Sequence, residues 1–149
     1  MQLGSVFIWQ NFPHSKDDTI KDRYFVYVGE SHYSDNPIHI FLITTTTRKV
    51  YYQKGGPRES HTIYKFKAGT FGFIKDSILD IDFLYNLKKE DLYRGLKEIE
   101  TICCLPEHVL KEIYDLILKS KNISLKIKEN IYISYNQAGI TGLKRPSRK

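Results

Sequence analysis

"RYFVYVGESHYSDNPIHIFLITTTT", residues 23–47, contains two runs dense in β-branched and aromatic residues, 23–30 and 38–47. Such side chains fit the pleated, packed surface of a sheet. The intervening "SHYSDNP" is rich in turn formers. Two neighbouring strands are therefore predicted. Arg23 stands where the charged "IKD" of residues 20–22 gives way to the first run.

Working outward, "GSVFIWQ" (4–10) alternates loosely between apolar and polar and predicts an opening strand, followed by a polar loop, "NFPHSKDDTIKD" (11–22). Downstream, "RKVYYQKGGPRES" holds Gly55, Gly56 and Pro57 and predicts a hairpin or exposed loop, after which "HTIYKFK" resumes the alternation. "AGTFGFIKDSILDI" carries Gly69 and Gly72 where a small barrel must bend sharply. "KKEDLYR" (88–94) predicts one or two helical turns.

One longer helix is predicted over about 106–119. Pro106 is favoured at a helix start, Glu107 suits the positive N-terminus, and Val109, Leu110, Ile113, Leu116 and Ile117 form one apolar stripe. "ISLKIK" and "IYISY" alternate around Glu129 and Asn130, which predicts an added hairpin at about 123–135. Residues 141–149 read as a basic, disordered tail, leaving 1–140 as a single domain. The element order gives a mainly β (α+β) fold, a strongly bent antiparallel sheet or barrel capped by a helix.

Composition bounds the function. No apolar run approaches the ~20 residues of a membrane span, and the N-terminal "MQLGSVFIWQ" lacks the basic and apolar regions of a secretory signal. A cytoplasmic protein without membrane contact is expected. Cys103 and Cys104 are adjacent, which strains a mutual disulfide and gives no metal-binding spacing. Formal net charge is +6, yet Lys144, Arg145, Arg148 and Lys149 supply four of those charges; 19 basic residues against 17 acidic ones remain over 1–143, a balance of +2. The body is nearly neutral, so overall charge is a weak argument for a nucleic-acid partner.

The order of these strings resembles that of the MazF/PemK (Kid-like) toxins of type II toxin–antitoxin systems, over about residues 4–118. "GSVFIW" and "KDRYFVYV" stand where the family has its opening strand and its Gly-x-Arg-Pro signature; "LITTTT" matches an Ile-Thr-Ser-like string through Ile43 and Thr44. "FGFIKDSILDIDFLYNLKKEDL" is similar to the segment that carries an acid, here Asp82, and "LPEHVLKEIYDLI" to the closing helix. The resemblance implies an SH3-like barrel, a homodimer held inactive by a cognate antitoxin, and metal-independent cleavage of single-stranded RNA with no cofactor.

In that reaction a ribose 2′-hydroxyl attacks the adjacent phosphorus, and negative charge gathers on the non-bridging oxygens. The guanidinium of Arg23 is a planar fork suited to two phosphate oxygens, and Thr44 is a short hydroxyl donor. The resemblance implies Arg23, Thr44 and Asp82 as the catalytic set. Around it, His14 and His61 are candidate proton carriers or contacts. Thr45, Lys54 and Arg58 are candidate RNA contacts, with Tyr51 and Tyr52 placed to stack on unpaired bases. The sequence also departs from the family. Tyr24 replaces the Pro, Lys21 the Gly, and Asp17 a loop histidine; Asp80 replaces a second arginine and Phe83 a Gln. Those departures support an alternative, a non-catalytic module that binds nucleic acid or a protein.

Overall fold

The structure is a computed structural model that describes residues 1–17, 19–32 and 37–147. Asp18, residues 33–36 of the turn read between the first two quoted runs, and Arg148 and Lys149 of the basic tail lie outside the described residues. The chain runs β1 (Ser5–Trp9), β2 (Arg23–Glu30), β3 (His39–Thr46), a 3₁₀ turn (Lys49–Tyr52), β4 (Ile63–Phe66), β5 (Ser77–Lys88), α1 (Lys89–Arg94), a second 3₁₀ turn (Leu96–Glu98), β6 (Ile99–Cys104), α2 (Glu107–Lys119) and α3 (Leu125–Gln137). The strands form one curled antiparallel sheet in the order β4-β5-β3-β2-β1-β6.

Both faces of this sheet are covered, which is why its central strands are nearly continuous apolar runs. Val6, Val26, Val28, Phe41 and Ile43 face α2 and α3 in the larger core, while Phe7, Phe25, Tyr27, Ile40 and Leu42 join Trp9, Phe12 and Tyr85 in an aromatic core on the other side. Alternation along β2 therefore sends Val26 and Val28 one way and Phe25 and Tyr27 the other. Each such burial contributes roughly 1.5–3 kcal/mol.

The predicted helix at 106–119 is α2, with Pro106 as its cap in an extended conformation and Glu107 in its first turn. Its buried stripe is Val109, Leu110, Ile113, Tyr114 and Ile117. At its end, Lys128 Nζ donates to the carbonyls of Leu118 (2.9 Å) and Ser120 (2.7 Å), satisfying acceptors that the helix itself leaves open.

The hairpin expected at 123–135 is instead the helix α3. Ser124 caps it by accepting from the Ile127 amide at 3.2 Å. Ile131 and Tyr135, one turn apart, are fully buried, and the Tyr135 hydroxyl donates to Leu110 O at 3.0 Å. The helix lies on β2, close enough that a Cβ at Gly29 would stand 2.9 Å from Ser134 Oγ. The tail also differs from expectation: Leu143 packs on the core, and Tyr114 donates its hydroxyl to Lys144 O at 2.6 Å. No helix among the described residues is long and apolar enough to cross a membrane.

Candidate functional site

The β3–β5 ladder breaks beside Thr44. Ile43 pairs with Leu84 and Thr45 with Leu79, so residues 80–83 of β5 lie opposite Thr44 alone. This irregularity bends the sheet at the margin of a cavity of about 630 Å³. The loop before β2 contributes Asp17, Lys21 and Asp22 to its wall, β2 contributes Arg23 and Tyr24, and the end of β3 contributes Thr44, Thr45 and Thr46. Arg48, Tyr51, Tyr52 and Arg58 follow from the next loop, with Lys75 and Phe83 from the β5 side.

Arg23 and Thr44, 21 positions apart in the chain, thus line one cavity. The register explains it: Phe25 pairs with Thr44, which puts Arg23 two residues along β2 from that rung. The wall carries five cations, Lys21, Arg23, Arg48, Arg58 and Lys75, against the carboxylates of Asp17 and Asp22.

Arg23 is heavily engaged on one nitrogen. Nη2 donates to Asp17 Oδ1 (2.9 Å) and Oδ2 (3.2 Å), Ser15 Oγ (2.8 Å) and Thr19 Oγ1 (3.0 Å). Among the described residues Nη1 has no acceptor, and Nε is buried without one. The Asp17 carboxyl is held well below the usual carboxylate range, first by the Ser15 and Thr19 hydroxyls, then by the Thr19 amide and Arg23. Thr44 is buried, and its hydroxyl has long contacts to the carbonyls of Tyr24 (3.4 Å) and Thr45 (3.5 Å).

The opposite wall rests on a fully buried carboxylate. Asp80 Oδ2 accepts from the Tyr52 hydroxyl at 2.8 Å and stands 2.8 Å from His61 Nδ1, while Oδ1 accepts from the Asp82 amide at 3.1 Å. Tyr52 in turn accepts from Arg58 Nη1 at 3.0 Å, leaving Arg58 itself 3.9 Å from Asp80. Burial and the Asp80 carboxylate outweigh Arg58 and push the Tyr52 hydroxyl up to about 12, so it remains a donor at neutral pH. Burial works against the charge on Arg58, but Tyr52, Asp80 and Tyr51 more than offset it, and its pKa is raised. The Arg58 guanidinium stands 5.1–5.8 Å from the ring centres of Phe83, Tyr51 and Tyr52, within cation–π range.

Six residues singled out from the sequence, Arg23, Thr44, Thr45, Tyr51, Tyr52 and Arg58, line the cavity. Asp82 does not: it accepts from the Ser120 hydroxyl at 2.5 Å and the Thr62 amide at 2.8 Å, tying β5 to the end of α2 and the start of β4. His14 packs edge-on against Trp9 and Phe12. His61 is turned to Asp80, and Lys54 is exposed in its turn outside the lining. Asp80, which stands where the resemblance has a second arginine, is sealed beneath Tyr52 and His61. Arg48 carries no expectation from the sequence, although the basic pair Arg48 and Lys49 directly precedes the "VYY" run. No protein-family model and no curated protein sequence matches this chain.

Proposed function

We propose that the protein binds single-stranded RNA in this cavity and cleaves it as a toxin-like endoribonuclease. What supports the reading is one observation, the convergence of Arg23 and Thr44 on a cavity whose wall carries more cations than carboxylates. In this mechanism the Arg23 guanidinium, through Nη1, which has no acceptor among the described residues, and the Thr44 hydroxyl donate to the non-bridging oxygens of the scissile phosphate. As the bond from the 2′-oxygen to phosphorus forms, the bond from phosphorus to the 5′-oxygen breaks. The products are a 2′,3′-cyclic phosphate and a 5′-hydroxyl, the proton lost by the first oxygen being matched by one gained at the second. A donor of this kind typically contributes about 3–4 kcal/mol to the transition state. Tyr51 offers a ring on which an unpaired base stacks. A second copy of the chain and a cognate antitoxin are the protein partners in this reading.

A second reading, a module that grips RNA without cutting it, is favoured by the Asp17 carboxylate on Arg23 and by the position of His14 and His61 outside the cavity lining.

Incubation with mixed single-stranded RNA in EDTA separates the two. Cleavage that leaves cyclic phosphate ends and is lost in Arg23→Ala supports the nuclease. Salt-sensitive binding with no cleavage moves the assignment to the module. Cleavage unaffected by Arg23→Ala overturns the assigned site, and absence of both binding and cleavage overturns RNA as the ligand.

A further inference from the structure

We infer that Tyr52 and Asp80 are positioning residues that hold Arg58 as the pre-set phosphate-binding cation of the cavity, an inference that rests on the RNA reading above. A carboxylate is costly to bury unless its oxygens are matched, and Asp80 has no exposure at all. Its oxygens are matched by the Tyr52 hydroxyl, His61 Nδ1 and the Asp82 amide. Arg58 is kept one group away, at 3.9 Å, with the Tyr52 oxygen as intermediary: it accepts from Arg58 at 3.0 Å and donates to Asp80 at 2.8 Å. The carboxylate therefore orients the guanidinium without claiming its donors.

Arg58 is further confined by the rings of Tyr51, Tyr52 and Phe83. A guanidinium carries five N–H donors, and among the described residues this one has a single hydrogen-bond acceptor, Tyr52. Arg23 differs, since four oxygens already crowd its Nη2. A long side chain fixed in advance loses less entropy on meeting a phosphate. Arg58 thus has the free donors, the fixed position and the place in the cavity wall that an RNA phosphate requires.

The test is a double-mutant cycle on binding of a fluorescent, unstructured 2′-O-methyl RNA oligonucleotide, which cannot undergo the 2′ attack. Arg58→Ala is expected to weaken binding about tenfold and to reduce the slope of log affinity against log salt by about 0.7. Tyr52→Phe keeps the ring and removes the hydroxyl; it is expected to weaken binding about threefold in the native background and to have no effect beside Arg58→Ala. Thermal melts establish that each variant folds. Equal losses from Tyr52→Phe in both backgrounds, or native affinity in Arg58→Ala, overturn the inference while the RNA reading survives. A native protein that does not bind the oligonucleotide ends both.

Discussion

The Arg23 guanidinium and the Asp17 carboxylate meet at 2.9 and 3.2 Å through a single nitrogen. Asp17 is itself fastened by Ser15 and by the Thr19 hydroxyl and amide, so the loop before β2 forms a small ring of oxygens around Nη2. An entering phosphate competes for the same guanidinium with an anion already in place.

Asp17→Asn is therefore expected to raise affinity for single-stranded RNA, by roughly three- to tenfold, as read by fluorescence anisotropy at fixed salt. Because the Asp17 pKa is lowered, its pairing contribution is lost only as pH falls through that depressed value. Mild acid leaves the pair intact, and the gain from the substitution should be the same at pH 5 and pH 7. Unchanged or weaker binding by Asp17→Asn counts against competition.

Ser120→Ala tests whether Asp82 is structural. Ser120 is buried and donates to Asp82 Oδ1 at 2.5 Å. Removing the hydroxyl leaves that oxygen without its partner and should lower stability by about 1–3 kcal/mol in urea denaturation, with RNA affinity unchanged. Full stability with lost cleavage would return Asp82 to the chemistry.

Gly29→Ala should destabilise more than Gly69→Ala. Gly29 has φ +151°, and an added Cβ meets Ser134 Oγ at 2.9 Å and Ser134 Cβ at 3.1 Å; Gly69, at φ +84°, has nothing within 4 Å. Backbone strain of about 1–3 kcal/mol applies to both, but only Gly29 must also push α3 off β2. The comparison of urea midpoints checks this, and equal losses would mean that α3 yields readily.

Stability should fall in alkali. Burial raises Tyr52 and Tyr64 from their ordinary 10 to about 12, with help from Asp80 and Glu112 respectively. Groups whose pKa is raised in the folded state contribute stability fully present below the unfolded value and lost as pH rises through the folded one. The loss therefore begins near pH 10 and runs to about 12. Urea midpoints measured across that range should drop, and drop less in Tyr64→Phe; a flat profile refutes the assignment.

Strands β1 to β3 are legible because their apolar density reflects burial on both faces, and the edge strand β4 is legible from its alternation, with Lys65 exposed beside the buried Phe66. β6 carries no strand expectation from the sequence. As an edge strand pairing with β1 alone it leaves Glu100 and Thr101 exposed, so its apolar signal is thin. α3 differs from the hairpin expected there because Ile123, Leu125 and Ile127 alternate by accident, and β-branched residues argue for a strand. The helical signals were present: Ser124 as a cap and Ile127, Ile131 and Tyr135 at four-residue spacing. Tertiary packing outweighs weak helix propensity there. At the site, the joint placement of Arg23 and Thr44 followed the strand order. The link from Arg58 to Asp80 joins a loop to a break in a ladder, which no local pattern encodes.

The broad apolar face beneath α2 and α3 is made mainly from strands finished by residue 104, whereas most of its cover comes from residues 107–143. On the ribosome the sheet must emerge with that surface bare. A chain halted between those points carries most of the cavity lining but exposes Val26, Val28 and Ile43 to any chaperone or neighbouring nascent chain. Arrival of residues 107–143 is what turns a sticky translation intermediate into a covered core.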